Sequence, residues 1–408
     1  MTFFEELNDG NISGVAYKNI RLKKNIISYL CNSGNCTIAE LCKELNVSTP
    51  KATNLITELV NDGIVEELGK LDSTGGRKPF IYGMISNSAF FLGVDVKHTY
   101  INIGLADLQK NLVSLSENIP YILNNDKKSL LELCELIKQF MSAAGVNKDK
   151  ILGIGLNLTG RINYATGYSY SFFNFNEEPL TNFLEAELGI RAQLENDSRA
   201  MAYGEFNAGV VRDEKDVLFL NIDYGLGMGV LINSHLYYGK SGFAGELGHI
   251  PLFNNEIICQ CGKKGCLETE ASGQALLRLF KQKVAEGSST SLISQQKLNI
   301  NEIILDDIIQ AAKNDDVLSI ELIAQVGEKL GRGIALLINI FNPELVIMGG
   351  SLAETGDYIR LPILSTINKY SLSLVSRDTQ LKFSKLGRKA GVIGACLLVR
   401  KRLLEDTL

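Results

Sequence analysis

Up to about Ile85 the apolar residues recur at helical spacing, and beyond it strand-like and helix-like runs alternate. Ile20, Leu22, Ile26, Ile27 and Leu30 mark one face of a helix from Asn19 to Cys31. Thr37 with Glu40 three residues on is a capping box, opening a helix from Ile38 to Leu45. Asn46-Val47-Ser48 then forms a short turn. Ser48 or Thr49 caps the next helix, with Pro50 at its first position. Ala52, Leu55, Ile56, Leu59 and Val60 face its core side as far as Asp62-Gly63. Two short amphipathic helices about a tight turn predict a helix-turn-helix. The runs Ile64–Leu68 and Phe80–Ile85 flank Gly75-Gly76, which predicts a hairpin and hence a wing.

Past Ala89, Phe90 to Val96 and Tyr100 to Leu108 read as a β-hairpin, and Ile151 to Leu158 as an apolar strand. Val217 to Ile222 with Gly229 to Ile232, and Glu344 to Met348, are further strands. Helices are expected at Ser129 to Ala144 and at about 271–285, 303–314, 316–340 and 391–404. The pattern alone shows mixed α/β. We divide the chain into a winged helix-turn-helix over 1–86 and a first α/β lobe over 87–200, completed by 387–408. A second lobe is expected over 201–386, with the oligomerisation surface expected on it.

On the nucleic-acid reading, Ser48, Thr49, Lys51, Thr53 and Asn54 open a recognition helix into the major groove. Arg77 and Lys78 at the wing tip would meet phosphates or a minor groove. Lys18, Arg21, Lys23 and Lys24 add basic side chains nearby. The alternative is a winged helix used for protein contacts only. A net charge of −5 excludes a generally basic nucleic-acid coat but leaves room for a small DNA-binding module. Hydrophobic residues at 45% and charged residues at 21% fit a globular protein with ample core. No run approaches the roughly 20 apolar residues of a membrane span, and no signal peptide is evident. Eight cysteines without such a signal suit a reducing cytoplasm.

Three of those cysteines fall between positions 259 and 266, ten residues and more after a histidine. His249, Cys259, Cys261 and Cys266 supply the four donors of a closed tetrahedral zinc shell, a structural site in most proteins. Gly262 and Gly265 permit the tight knuckle that turns the sulfurs to one ion.

Gly245-Glu246-Leu247-Gly248-His249, followed by Cys259-x-Cys261-Gly262-x-x-Gly265-Cys266-Leu267-Glu268, resembles the signature of the ROK family of sugar kinases and sugar-responsive repressors. The resemblance runs from about Phe90 to the C-terminus and implies a two-lobed, actin-like and hexokinase-like (ribonuclease H-like) fold. It also implies that Glu246, His249 and Glu268 hydrogen-bond sugar hydroxyls beside the zinc. Asn196-Asp197 matches the family's catalytic dipeptide, in which Asp197 would take the proton of the attacking hydroxyl. Gly160 is a backbone contact in the loop after Ile151 to Leu158. The Gly-Gly-Arg-Lys-Pro run resembles the wing of ROK repressors, an extension that the kinases lack.

Phosphate handling departs from the kinase pattern. Family kinases carry Asp-x-Gly-Gly-Thr at the first hairpin, whereas this chain has Asp95-Val96-Lys97-His98-Thr99. Their second loop reads Gly-Thr-Gly, and the segment here is Gly225-Leu226-Gly227-Met228-Gly229. Gly349-Gly350 matches the adenosine-side turn. The expectation is a sugar-responsive regulator, a repressor, binding operator DNA as a homodimer or homotetramer. Its effector is a sugar or sugar phosphate that biases an equilibrium between two states. The alternatives are an ATP- and Mg²⁺-dependent sugar kinase with a DNA-binding module, and a regulator run by a protein partner.

Overall fold

Local hydrogen bonds set the N-terminal helices. In the computed structural model of the protein, which describes residues 2–8, 14–70, 79–175, 177–294, 296 and 298–405, Glu40 N–H donates to the Thr37 hydroxyl at 3.3 Å. Thr37 N–H returns the bond to the Glu40 carboxylate at 2.8 Å, completing the capping box. The helix Ile38–Leu45 ends at Asn46 in the left-handed region (φ 51°). Thr49–Asn61 follows with Pro50 in its first turn. Cys36–Thr37, Phe80–Met84 and Val65–Lys70 form the wing sheet in that spatial order. The wing tip, with Arg77 and Lys78, lies outside the described residues.

The helix Phe3–Asn8 was not evident in the pattern. It docks through Phe3, which is fully buried, and Phe3 N–H donates to Asp62 Oδ2 at 2.9 Å.

The chain forms two compact units, Met1–Glu195 with Val392–Leu408, and Asn196–Gly391. The first unit's main sheet runs Ala192–Asn196, Ile151–Leu158, Phe90–Val96, Tyr100–Asp107, Leu112–Pro120. Phe90–Val96 is buried along its whole length because both faces of the sheet are covered. Gly93 and Gly155 let the C-terminal helix Ala390–Leu404 lie on that sheet: a Cβ there would meet Val392 O at 2.4 Å and Ala395 O at 2.6 Å. Phe91, Leu108, Val399 and Leu404 continue into the apolar core of the winged helix, with Ile27, Leu30 and Leu59. The module is therefore built into the first unit and shares one core with it. Beside that core the buried Arg400 donates through Nε to Leu108 O at 3.0 Å and pairs with Glu405 at 2.5 Å.

The second unit repeats the sheet plan: Gln380–Phe383, Leu345–Gly349, Val217–Ile222, Leu226–Ile232, His235–Leu236. A parallel set again adjoins an antiparallel hairpin. The helix Val317–Phe341 packs on the sheet, and Gly327 and Gly331 on it admit the helix Asp357–Tyr370. A Cβ on Gly331 would lie 2.6 Å from Thr366 Cβ. Among the described residues no helix is long and apolar enough to cross a membrane.

Candidate functional site

The cysteine-rich segment folds as a small knuckle in the second unit. Bridges Pro251↔Cys266 and Ile258↔Lys264 fold it back on itself. Gly262 (φ 81°) and Gly265 (φ 77°) make the reversals that L side chains rarely adopt. The donor atoms of His249, Cys259, Cys261 and Cys266 all lie within 4.8 Å of one another. Cys261 Sγ and Cys266 Sγ are 3.6 Å apart, and Cys259 Sγ is 3.5 Å from His249 Nδ1. A tetrahedral shell with metal–sulfur bonds of about 2.3 Å has edges of about 3.8 Å, whereas a disulfide would bring sulfurs to about 2.05 Å. Burial pushes the Cys259 thiol up to about 12, so a thiolate at that position calls for a cation beside it. This side-chain set can hold a metal ion.

The same segment carries its polar groups outward. His249 Nε2, on the ring edge away from Cys259, faces Glu246 Oε2 at 3.7 Å. Glu268 Oε2 accepts the Leu226 N–H at 2.9 Å, and its other oxygen lies 3.7 Å from Cys259 Sγ. The carboxylate thus ties the knuckle to the start of a sheet strand. Gly245 and Gly248 allow this approach, since a Cβ on either would come within 2.5 Å of a carbonyl of Met228 or Leu226.

Asn196 caps the helix Asp197–Ala208, accepting the Arg199 N–H at 3.1 Å. Asp197 Oδ1 accepts the Ser198 N–H at 2.8 Å and the Asn196 amide at 3.1 Å. Asn221 Nδ2 donates to Asp197 Oδ2 at 3.4 Å and to Ser198 Oγ at 3.2 Å. Asn221 Oδ1 is buried without a hydrogen-bond partner among the described residues. Sequence reasoning missed Asn221, although an amide inside the apolar run Val217–Ile222 is a signal. Arg199 donates to Gly242 O at 2.6 Å and so joins this helix to the segment that precedes Glu246.

The phosphate-loop candidates differ from expectation in one respect. The turn between Val217–Ile222 and Leu226–Ile232 is Asp223-Tyr224-Gly225, so Gly225 is at the tip but Gly227 is inside a strand. A Cβ on Gly227 would lie 2.0 Å from Ser198 Oγ, which makes it a packing glycine. Asp223 Oδ1 accepts the Tyr224 N–H at 3.0 Å and the Ser351 hydroxyl at 2.5 Å. The carboxylate therefore spans the turn and the Gly349-Gly350 loop, where a Cβ on Gly350 (φ 85°) would lie 2.6 Å from the Ile222 backbone. In the first unit, Lys97 Nζ pairs with the buried Asp95 at 3.3 Å, and Thr99 O accepts the Tyr121 N–H. Gly160 (φ 89°), also in the first unit, sits against Ser171.

On the helix Thr49–Asn61, residues Thr49, Thr53 and Asn54 are exposed, and Ser48 precedes it with no side-chain cap bond. Lys51 is half-buried and donates to Asn19 Oδ1 at 2.5 Å. Lys23 requires a correction. It is 3% exposed and paired with Glu6 at 3.1 Å and Glu58 at 2.9 Å, so it is an internal clasp, not a DNA-facing cation. Burial opposes its charge, but bonds to Glu58 and Glu6 win and raise its pKa.

Residues 91–402 match the ROK family, and residues 21–66 match a winged helix-turn-helix DNA-binding family. The xylose repressor of Caldicellulosiruptor bescii is 32% identical over 90% of this chain and 92% of its own length. A crystal structure of a ROK family transcriptional regulator, a homologue of the E. coli MLC protein, superposes with a TM-score of 0.77 at 25% identity. That match covers 95% of this chain and 97% of the regulator. A ROK family glucokinase from Streptomyces griseus, solved with glucose and AMPPNP, gives a TM-score of 0.67 at 26% identity, covering 76% of this chain and 99% of the kinase.

Proposed function

The chain belongs to the ROK family, and from that membership we propose that it is a sugar-responsive transcriptional repressor that binds operator DNA as a homodimer or higher oligomer. The observation that carries this reading is the winged helix-turn-helix, joined by one apolar core to the first unit. The similarity to a xylose repressor over nine-tenths of the chain supports it. Paired half-sites a whole number of helical turns apart require at least two copies.

The metal is zinc, since three thiolates and an imidazole at tetrahedral spacing suit it. Bound there, it supplies charge and cross-links that hold the knuckle rigid. His249 would hold the ion through Nδ1, which lies beside Cys259 Sγ, and its proton would then sit on Nε2, facing Glu246 and free to be donated to a sugar oxygen. Asn196, Asp197, Glu246 and Glu268 complete the polar set for hydroxyl groups. Asp197 orients one hydroxyl and would serve as base only in a kinase.

The kinase reading is disfavoured at both phosphate loops. Lys97 stands where family kinases have glycine and is engaged by Asp95, and Asp223 occupies the hairpin tip against Ser351. A phosphate about 4 Å from a carboxylate is repelled by on the order of 4 kcal/mol near a protein surface. Asp223 therefore opposes a nucleotide at these loops. The test is a thermal-shift screen of hexoses, N-acetylhexosamines, pentoses and their phosphates, followed by operator binding with the best stabiliser. A sugar that stabilises the protein and changes operator affinity is the expected result. Stabilisation with ADP release abolished by Asp197→Asn would establish a kinase instead, and no response to any sugar would favour a protein partner.

A further inference from the structure

The helix Thr49–Asn61 has an unusual outer face. Thr53 Oγ donates to Thr49 O at 2.9 Å, and Thr57 Oγ donates to Thr53 O at 2.8 Å. Each hydroxyl proton is thus used within the helix itself, so each exposed side chain has no hydroxyl donor left to offer and presents its methyl and an acceptor oxygen to a ligand. Thr53 and Thr57 lie four residues apart, on one face of the helix, with Asn54 beside them.

Cations are missing from that face. The helix has a single lysine, Lys51, which is held by Asn19, and no arginine. Glu58 is held by Lys23. Guanine is read most often by arginine or lysine, adenine by asparagine, and thymine by apolar contact with its 5-methyl group. On the premise that the winged helix binds operator DNA, we infer that Thr53 and Thr57 determine specificity by packing their methyls on thymine methyls. Asn54 is the adjoining adenine reader. A four-residue step rises about 6 Å along a helix, and stacked bases are about 3.4 Å apart. The two thymines are then about two base steps apart.

The test uses the full-length protein and a site selected from a random-sequence duplex pool, remade with deoxyuridine for thymidine one position at a time. Loss of a contacted methyl weakens binding about fourfold, from roughly 0.8 kcal/mol per buried methyl-sized group. Thr53→Ser and Thr57→Ser keep the hydroxyl and should lose about fourfold on the thymidine site. Each should also become indifferent to deoxyuridine at one position, whereas Thr53→Val keeps the discrimination. Thermal unfolding unchanged in the serine variants excludes a folding defect, as expected of conservative changes at exposed positions. Specific binding that is indifferent to deoxyuridine everywhere, or serine variants that retain the full deoxyuridine penalty, would overturn this inference alone. Failure to select any sequence would overturn operator binding, and this inference with it.

Discussion

Single side chains carry most of the chemistry, and their partners say how each will respond to change. Cys261 faces Cys266 at 3.6 Å within a four-donor cluster. Cys261→Ser should lower bound zinc from one equivalent to well below it, measured by elemental analysis without chelator. Asp197→Asn preserves an oxygen for the Ser198 N–H but removes the charge that a sugar hydroxyl would meet. Hydrogen bonds to charged groups contribute about 1.5–3 kcal/mol. Sugar affinity by calorimetry should therefore fall by roughly tenfold or more, with little change in melting temperature.

Elements are set by short-range rules in some places and by packing in others. The Thr37–Glu40 box is the local case, and Thr37→Ala should cost about 1 kcal/mol in denaturant unfolding. Bonds from the Thr37 backbone and hydroxyl hold the Glu40 carboxyl below its ordinary value. Its folded pKa is depressed, so its contribution is present above the unfolded pKa and is lost as pH falls through the folded one. Unfolding of Glu40→Gln and the native protein should therefore converge as pH drops below about 4. The helix Asp357–Tyr370 is the opposite case, because Pro362 inside it removes a backbone donor and disfavours a helix locally. It persists because it crosses Val317–Phe341 closely at Gly327 and Gly331. Gly331→Ala should cost about 1–3 kcal/mol through overpacking, read by chemical denaturation.

Whole-molecule behaviour follows from the shared core of the winged helix, first sheet and C-terminal helix. Arg400 closes that core, its guanidinium held by Leu108 O and Glu405. Arg400→Met takes from the Leu108 carbonyl its guanidinium donor, leaving the weaker Cys31 thiol at 3.4 Å, and takes from Glu405 its ion-pair partner. The expected outcome is weaker operator binding together with a loss of about 3 kcal/mol. Hydrogen exchange should show the winged helix opening together with the sheet face it packs on, since Phe91, Leu108, Val399 and Leu404 belong to the winged helix's own core. Winged-helix opening well before the sheet would refute the shared-core account.

Sequence alone determined the features whose physics is local. The capping box, Pro50 at a helix start, the wing strands, the glycine-hinged knuckle and the Asn196 cap each depend on residues within about twenty positions. For that reason the turn-helix segments and the cluster of His249, Cys259, Cys261 and Cys266 were legible before any coordinates. Tertiary structure alone decided the rest. Lys23 read as a surface cation until the Phe3–Asn8 helix closed over it with Glu6. Gly227 read as a phosphate loop until Ser198 packed against it. Asp223 meets Ser351 across 128 residues of chain, and Arg400 meets Leu108 across 292. Periodicity and motif spacing report the energy of neighbouring residues, whereas such contacts form only when the whole chain has packed.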